Sequence, residues 1–341
     1  MDVQNTKKMT IDDIARELGV SKTTVSRALS GKGRISKATI DKVHDYVAQY
    51  NYQPYSLTDK SLSRKKTHNI AVTWSGDYEL VEMPYFQNVL TGIVEVMSDE
   101  GYDVMISLMI NDHIENLKRV VDEGKIDGVI LTRTLVNDIP SRFLKNSGIP
   151  FVCIGSSEDE GVIQIDNDHF EACRELTSAL IHQGHKRIAL IGGSSNHIIT
   201  KTRYGGFVKA FHDAGVTLDT SIIFLDINTD KRISDILSYL LTVDIDCLIC
   251  MDDTYALRVI DICKNEHIRI AEDLRIASFY NSTLLSGLEP AITSLDFNDR
   301  NLGAVAARTL LQKINGSEVQ NRMLKTYEVM LRESTRKVEK Y

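Results

Sequence analysis

The chain has 341 residues, which is too long for one ordinary hydrophobic core, so we expect two or three domains. Its composition, 43% hydrophobic and 26% charged residues, is typical of a soluble globular protein. It contains no apolar run long enough to span a membrane, and its first residues contain no apolar stretch of the kind found in a secretory signal peptide.

Charge is distributed unevenly along the chain. Residues 1–66 contain 13 Lys and Arg against 7 Asp and Glu, a formal charge of +6, whereas the remaining residues contain 27 against 40, a formal charge of −13. A basic segment attracts the phosphate backbone of nucleic acid, and an acidic one is repelled by it. Contact with nucleic acid is therefore expected in the N-terminal segment alone.

The segment TIDDIARELGVSKTTVSRALSGKG, residues 10–33, predicts two short helices joined by a turn. Thr10 and Asp13 have the spacing of a capping box, and the apolar residues that follow recur at helical intervals. Gly19 provides the left-handed conformation that ends the first helix, and Ser21 caps the second. The outward face of the second helix is basic and hydroxylic, which favours a helix-turn-helix over an ordinary helical hairpin.

In a helix-turn-helix the second helix enters the DNA major groove, so its outward side chains are candidates for base contacts. Arg27 is placed for a bidentate contact with guanine, and Lys22 and Thr23 for contacts with neighbouring bases. The candidate DNA-binding residues of this segment are Ser21, Lys22, Thr23, Thr24, Ser26, Arg27 and Arg34. The residues expected to contact phosphates are Lys7, Lys8, Ser21, Lys32 and Arg34.

Residues 36–50 predict a third helix, whose apolar positions complete a small three-helix head. Residues 51–66 are polar and basic and contain one proline, which is typical of a linker. We therefore place a helix-turn-helix DNA-binding domain at residues 1–52 and a hinge or linker at residues 53–66.

The segments VSKTTVSRALSGKGRIS, HDYVAQYNYQP and KKTHNIAV resemble the DNA-binding head of the lactose-repressor (LacI/GalR) family, and the rest of the chain is similar to that family as well. The resemblance implies that the linker folds into a hinge helix on DNA and inserts a leucine into the minor groove, a device that kinks the duplex. Leu62 stands at the matching position and joins the candidate DNA-binding residues. The chain differs from the family pattern in having Tyr55 where Asn is usual, Asp59 in the hinge, and one extra residue before Leu62.

From residue 68 onward, short apolar segments alternate with amphipathic ones, which is the pattern of a parallel sheet with crossover helices on both faces. The predicted strands are NIAVTW, YDVMISLM, DGVILTR, IPFVCIGS, KRIALIGG, DCLICM and RIASFY. The predicted helices include residues 86–100, 115–123, 168–183, 203–214 and 232–243. This number of units exceeds one sheet, so we expect two similar lobes.

The resemblance supplies the layout of the fold, which is a three-helix helix-turn-helix head, a hinge, and a two-lobed α/β body like that of periplasmic binding proteins. The body is expected to bind an effector and to form the dimer. The expected ranges are 67–341 for the whole body, 67–163 and 295–325 for lobe 1, and 165–293 and 326–333 for lobe 2.

The five cysteines are an odd and sparse set, which is typical of reduced thiols. Cys247 and Cys250 form a C-x-x-C within DCLICM, a predicted buried strand. Side chains three residues apart on a strand point to opposite faces of the sheet, which argues against a local disulfide or a shared metal. We therefore expect no metal site and no cofactor.

The predicted strand ends, where open parallel sheets bind ligands, lack the motifs of common enzymes. IAVTWSGD contains no G-x-G-x-x-G, IGGSSNHIIT lacks the end of a P-loop, and neither H-E-x-x-H nor a nucleophile elbow occurs. Asp252 and Asp253 have the chemistry of a glycosidase carboxylate pair, but adjacent side chains at a strand end diverge. We therefore expect a binding protein without catalytic residues.

The side chains at these strand ends suit a small polyol, which needs paired hydrogen-bonding groups and an aromatic ring. Trp74 ends the first strand, and Tyr85 and Phe86 open the next helix. The alternative role is core packing for Trp74 and helix-cap packing for Tyr85 and Phe86. By the family resemblance, Arg203 and Asp252 match positions that contact effectors. The candidate effector-binding residues are Trp74, Tyr85, Phe86, Arg133, Arg203, Asp252, Tyr280 and Asn281.

The segments IALIGGSSNHIITKTRYGGF and SFYNSTLLS resemble the maltose-type branch of the family, which implies an α-glucoside or a related oligosaccharide. Tyr280 and Asn281 stand where many relatives have a pair of aspartates, so the ligand contacts at that strand are altered. Arg133 has an alternative role, which is to neutralise the acidic body. The strand ends contain no Lys and Arg cluster, which disfavours a phosphorylated ligand.

The resemblance implies a transcriptional repressor of carbohydrate-utilisation genes that binds a near-palindromic operator as a homodimer, with a tetramer as the alternative. A small sugar closes the lobes and lowers the DNA affinity, although the family also contains members whose ligand or protein partner raises it. Two alternatives are a catabolite-type regulator controlled by a phosphoprotein or a sugar phosphate, and a sugar-binding transport protein, which would lack the head. We expect no membrane partner and a location at the nucleoid in the bacterial cytoplasm.

Overall fold

The computed structural model describes the chain over residues 11–30, 35–49, 66–75, 84–109 and 113–336. Contacts divide the chain into two compact units, residues 1–65 and residues 66–341. The predicted helix-turn-helix lies in the first unit and the predicted α/β body in the second. Each unit has its own hydrophobic core.

The described residues of the first unit form three helices, α1 (Ile11–Leu18), α2 (Lys22–Ser30) and α3 (Lys37–Gln49). Each helix turns an apolar face towards the other two, as its spacing of apolar residues predicts. The buried side chains of this small core are Ile14, Ala15, Val25, Ala28 and Val43.

The turn between α1 and α2 has the conformation that the sequence predicts. Gly19 has a φ of +64°, which is unfavourable for a residue with a Cβ, and the N–H of Val20 donates to the carbonyl oxygen of Ala15 at 3.0 Å. The hydroxyl of Ser21 then accepts a hydrogen bond from the N–H of Thr24 at 3.1 Å. One glycine and one serine therefore set where α1 ends and where α2 begins.

In the body, helices and strands alternate among the described residues. The helices are α4 (Pro84–Asp99), α5 (Glu115–Asp122), α6 (Ile139–Ser147), α7 (His169–His182), α8 (Ile198–Ala214), α9 (Asp230–Thr242), α10 (Asp253–Asn265), α11 (Thr283–Ser286) and α12 (Asp299–Ile314). The strands are β1 (Asn69–Ser75), β2 (Asp103–Met109), β3 (Gly128–Leu131), β4 (Phe151–Ile154), β5 (Gln164–Asn167), β6 (Ile188–Ile191), β7 (Ile223–Phe224), β8 (Cys247–Cys250), β9 (Ile276–Ser278), β10 (Thr293–Phe297), β11 (Arg322–Leu324) and β12 (Tyr327–Met330). None of the described helices combines the length and the apolar content needed to cross a lipid bilayer.

The strands form two six-stranded sheets, ordered β11-β5-β4-β3-β1-β2 and β12-β10-β9-β8-β6-β7. Every pairing is parallel except that of β12 with β10, which is antiparallel. All four residues of each of β3, β4, β6 and β8 are buried, because helices cover both faces of each sheet. The prediction of two similar α/β lobes is confirmed.

Within the described residues, the chain crosses between the lobes three times, and the third crossing lies between β11 and β12. The first two crossings come later than the expected ranges imply. β5 pairs with β4 and β11 in the first sheet, so the first crossing is at Asp168. β10 pairs with β9 and β12 in the second sheet, so the second crossing is at Asn298. Both residues cap a helix that packs in the other lobe, so each strand is completed before the chain leaves its sheet.

The cysteine prediction is confirmed in its geometry. All five cysteines are buried and none forms a disulfide. Cys250 packs in the core on one face of the second sheet, and Cys247 packs in the core on the other face. The C-x-x-C spacing is therefore a consequence of strand alternation.

Glycines allow one pair of helices to approach closely in each lobe. A Cβ at Gly92 of α4 would lie 1.9 Å from the carbonyl oxygen of Arg300 in α12, and a Cβ at Gly303 of α12 would lie 2.1 Å from that of Val89. In lobe 2, a Cβ at Gly206 of α8 would lie 2.2 Å from the carbonyl oxygen of Phe170 in α7. Because these contacts are with backbone atoms, a larger residue must push the two helices apart.

We expect Gly303→Ala to destabilise the body by about 1–3 kcal/mol, because the added methyl group overpacks the contact between α4 and α12. Gly287→Ala is the matched control, since its Cβ would be 3.3 Å from the nearest atom. Urea unfolding of both variants measures the free energy of unfolding. Equal stabilities of the two variants would contradict the importance of the glycine contact.

Candidate functional site

The candidate DNA-binding residues of α2 lie on one side of that helix. The side chains of Lys22, Thr23, Ser26 and Arg27 are exposed, whereas Val25 and Ala28 between them are buried. This arrangement gives α2 a hydrogen-bonding outer face and an apolar inner face, which is what a major-groove helix requires.

Some of these candidates also have contacts within the head. The ammonium group of Lys22 lies 2.5 Å from the carboxylate of Asp12 in α1. The hydroxyl of Thr24 lies 2.8 Å from that of Ser21, at the capped start of α2. Arg34 and Leu62, the remaining candidates, lie outside the described residues, as do Lys7, Lys8 and Lys32.

A cavity of about 130 Å3 lies between the two lobes, at the carboxyl ends of strands from both sheets. Six of the eight candidate effector residues line it, and they come from distant parts of the sequence: Tyr85, Phe86, Arg133, Arg203, Asp252 and Tyr280. Other residues that line it are Thr132, Thr134, Ile154, Gly155, Asp166, His169, His197 and Ile199. The position of the cavity is that expected for a ligand site in open parallel sheets.

Arg203, on α8, is the main cation of this cavity and is only 8% exposed. One end of its guanidinium donates to the carbonyl oxygen of Met251 at 2.7 Å. Its Nε has no hydrogen-bond partner among the described residues. A buried N–H group without a partner is costly, so this atom is a ready donor for a ligand oxygen.

Buried carboxylates surround the guanidinium. Burial raises the pKa of Asp166 to about 6, although a hydrogen bond from the hydroxyl of Ser156 at 2.8 Å opposes the shift. Burial also raises the pKa of Asp252. Asp252 caps α10 by accepting a hydrogen bond from the N–H of Tyr255 at 3.0 Å, and this hydrogen bond lowers the pKa and so opposes the shift. The positive charge of Arg203 lowers the pKa of both groups and so favours their ionised forms.

Tyr280 connects the cavity to the second lobe crossing. Its hydroxyl donates to the carboxyl group of Asp299, the first residue of α12, at 2.5 Å. Burial is the main cause that raises the pKa of Asp299 to about 7. The ring of Tyr280 also meets the ring of Tyr85 edge to face, at 6.0 Å between centroids, so aromatic groups from both lobes meet at the cavity.

Two candidate effector residues do not line the cavity. Trp74 is 9% exposed and packs behind Phe86, with 5.4 Å between their ring centroids. It therefore has the alternative role of core packing and supports a ring that does line the cavity. The side-chain amide of Asn281 donates to the carboxylate of Asp296 at 2.8 Å and accepts from the guanidinium of Arg332 at 3.0 Å. It therefore connects β10 to the C-terminal segment by hydrogen bonds.

Sequence reasoning missed several polar groups of the cavity, chiefly Asp166 and His169. His169 Nε2 lies 3.7 Å from the Asp166 carboxylate, and burial lowers the pKa of His169 well below its usual value. The short segment QIDN gives only a weak strand signal, so β5 was not predicted. Recognising it as a strand directly before a helix would have identified Asp166 as a strand-end residue. Among the described residues, no group of three or more His, Cys, Asp or Glu is arranged to hold a metal ion.

Comparisons with known proteins agree with both parts of the chain. A family described as bacterial regulatory proteins, lacI family, matches residues 10–55, and one described as periplasmic binding proteins and sugar binding domain of LacI family matches residues 78–333. The HTH-type transcriptional regulator MalR of Staphylococcus xylosus is 28% identical over 92% of this chain and 94% of its own length. Catabolite control protein A of the same species is 25% identical over 91% and 94%. A solved structure of a CelR–cellobiose complex has a TM-score of 0.71 and 25% identity over 96% of this chain and 99% of its own.

The buried carboxyl groups predict that the free energy of unfolding falls as the pH rises. Asp299, with its pKa raised to about 7, keeps its proton in the folded state at pH values where the unfolded state has lost it. Raising the pH from about 4 towards 7 therefore costs stability, by up to about 1.4 kcal/mol per pH unit, and the loss ends once the folded state has also lost the proton. Asp299→Asn removes one of these groups while keeping an oxygen that accepts from Tyr280.

We expect Asp299→Asn to flatten the dependence of stability on pH in this range, while Asp166 and Asp253, whose pKa values are both raised to about 6, retain part of it. Urea unfolding at four pH values between about 4 and 7 measures the effect. Asp235→Asn, at an exposed carboxylate of α9 in the same body, is the control. Identical pH profiles for wild type and Asp299→Asn would contradict a protonated Asp299.

Proposed function

Since this chain belongs to the LacI family of bacterial regulatory proteins, we propose that it is a sugar-responsive transcriptional repressor of carbohydrate-utilisation genes. Operator DNA is its nucleic-acid partner, and a small sugar is its effector. The observation that carries the proposal is the cavity between the lobes, which six predicted effector residues line, in a chain that also contains a helix-turn-helix.

The DNA-binding half of the proposal rests on the outer face of α2. Arg27 is exposed there, and a guanidinium reads guanine through two hydrogen bonds in the major groove. The excess positive charge of residues 1–66 favours the phosphate backbone. A homodimer presents two such helices to a near-palindromic operator, because a palindrome has the same two-fold symmetry as the protein. Such a protein works at the nucleoid in the bacterial cytoplasm.

The effector half rests on the chemistry of the cavity. The Nε of Arg203 suits a sugar oxygen, the carboxylates of Asp166 and Asp252 suit sugar hydroxyls, and the rings of Tyr85 and Tyr280 suit the C–H faces of a pyranose. A phosphate group would be repelled by the two carboxylates, so we favour a neutral sugar. CelR was solved with cellobiose, and we propose a glucose disaccharide such as maltose here.

The size of the cavity supports a mechanism in which the lobes move. Its volume of about 130 Å3 is below the range of roughly 300–1,000 Å3 found for pockets that hold drug-sized ligands, so a disaccharide needs the lobes to open. A sugar that binds best to one arrangement of the lobes shifts the population towards it. By linkage, operator DNA then weakens sugar binding by the same factor by which the sugar weakens DNA binding.

Similarity to catabolite control protein A supports a second candidate, a catabolite-type regulator that responds to a phosphoprotein or to a sugar phosphate. The two candidates differ in what stabilises the protein. A neutral sugar binds the cavity in the first, whereas in the second only a phosphorylated compound or a protein partner has an effect.

A thermal-shift screen of the full-length protein tests the proposal, because a ligand that binds only the folded state raises the melting temperature. The compounds are glucose, maltose, cellobiose and glucose 6-phosphate. We expect a neutral disaccharide to give the largest shift. A response to glucose 6-phosphate alone would favour the second candidate.

Arg203→Lys tests the role of the guanidinium in this site. The substitution keeps the charge but loses the planar donor group, so we expect a loss of about 1–3 kcal/mol in the affinity for the stabilising sugar. Operator binding without sugar should be unchanged, since the head is a separate unit. Calorimetric titration measures the affinity, with Lys201→Arg, on the same helix but outside the cavity lining, as the control. An unchanged dissociation constant in Arg203→Lys would place the effector elsewhere.

Arg27→Ala tests base recognition by α2. We expect a loss of about 1–3 kcal/mol in operator affinity and a relaxed preference at one base pair, because one bidentate contact is removed. Binding of duplexes with every base at that position, followed by fluorescence anisotropy, measures both effects. Equal losses on operator and on random-sequence DNA would make Arg27 a phosphate contact instead.

A further inference from the structure

The carboxylate of Asp127 accepts four hydrogen bonds from the two residues that precede β1. The N–H of Thr67 lies 2.9 Å from Oδ1 and 3.1 Å from Oδ2, and the Thr67 hydroxyl lies 2.8 Å from Oδ1. The N–H of His68 lies 2.9 Å from Oδ2. Both oxygens of one side chain thus hold the backbone at the point where the body begins.

Further contacts fix the same short segment to lobe 1. The Thr67 hydroxyl accepts from the N–H of Asn69 at 3.2 Å, and the N–H of Asp127 donates to the carbonyl oxygen of Asn69 at 2.7 Å. The ammonium group of Lys66 donates to the side-chain oxygen of Asn315, which follows α12, at 2.8 Å. Residues 66–68 are therefore held to the body by side chains from two distant parts of the chain.

β1 itself does not depend on these bonds. It pairs with β2 along its whole length, from Asn69 to Ser75, and with β3 over Ile70–Val72. Its residues Ile70, Ala71 and Val72 are completely buried. The Asp127 contacts add little stability to a strand that is already paired on both sides. Their effect is to fix the direction of the chain just before the strand.

We propose that Asp127 is a positioning residue for operator binding, because it sets the place and direction at which the linker leaves lobe 1. This inference rests on the proposed function. A lobe that moves when sugar binds can act on the DNA-binding head through the residues that connect them. Without the carboxylate, the backbone at Thr67 is free to rotate and absorb the movement, and His68 keeps only its hydrogen bond from the N–H of Asp103 as a backbone anchor to lobe 1.

The substitution Asp127→Asn keeps the shape of the side chain but replaces one acceptor oxygen by a donor, so the N–H of His68 loses its partner. Asp122→Asn, on an exposed part of α5 in the same lobe, is the matched control. Thr67→Val removes the hydroxyl that bonds to Asp127, and Thr67→Ser restores it. The full-length protein is used throughout, with an operator duplex that wild type selects from a random pool.

We expect Asp127→Asn and Thr67→Val to weaken operator binding about tenfold, while Thr67→Ser and Asp122→Asn stay within about twofold of wild type. Affinity for random-sequence DNA should not change, because phosphate contacts by single heads need no fixed linker. With maltose as the sugar probe, the ratio of operator dissociation constants with and without maltose should fall towards one in Asp127→Asn.

Three outcomes would overturn the inference. The first is operator affinity within twofold of wild type in Asp127→Asn. The second is an equal loss on operator and on random-sequence DNA. The third is a fall in the melting temperature of the body that accounts for the lost operator affinity, since this would make the contact a purely structural one. Failure of the wild type to select any duplex would instead overturn the proposed function, and the inference with it.

Discussion

The structure depends most on the buried guanidinium of Arg203, which lies where the two lobes meet. Carboxyl groups close to it come from different parts of the chain, including Asp166 of lobe 1 and Asp252 of lobe 2. Burying any one of these charges without a partner costs desolvation free energy. One cation shared among several carboxyl groups reduces that cost. Within the described part of the chain, the same arrangement leaves groups such as the Nε of Arg203 without a hydrogen-bond partner, and a polyol can satisfy such groups.

Helix packing explains how a contact in the cavity is connected to whole lobes. Tyr85 and Phe86 lie in the first turn of α4, and Arg203 lies on α8; each helix is in backbone contact with a second helix through glycine. The second helices, α12 and α7, begin directly at the lobe crossings. A helix that is packed so tightly moves together with its neighbour. A movement of α4 or α8 at the cavity therefore also moves α12 or α7 at the lobe crossings.

Local patterns predicted much of the fold, and the exceptions have physical reasons. The turn at Gly19, the head core and the apolar central strands are each set by residues close in sequence. Strands without an apolar run, such as β5, give no clear local signal and depend on pairing with other strands, which for β5 include β11 far along the chain. The same holds for side chains: Trp74 and Asn281 were predicted to contact a ligand because they end strands, but their neighbours Phe86 and Arg332 come from distant segments.

The last two strands of the body have a consequence for how the chain is made. β11 completes the edge of the first sheet beside β5, and β12 completes the edge of the second beside β10. Both strands lie after residue 320, so neither lobe can finish its sheet until the ribosome has added the residues that precede them. Until then β5 and β10 are open sheet edges, which invite pairing with other chains. In a nascent chain of this protein, the DNA-binding head is thus synthesised long before either lobe of the body is complete.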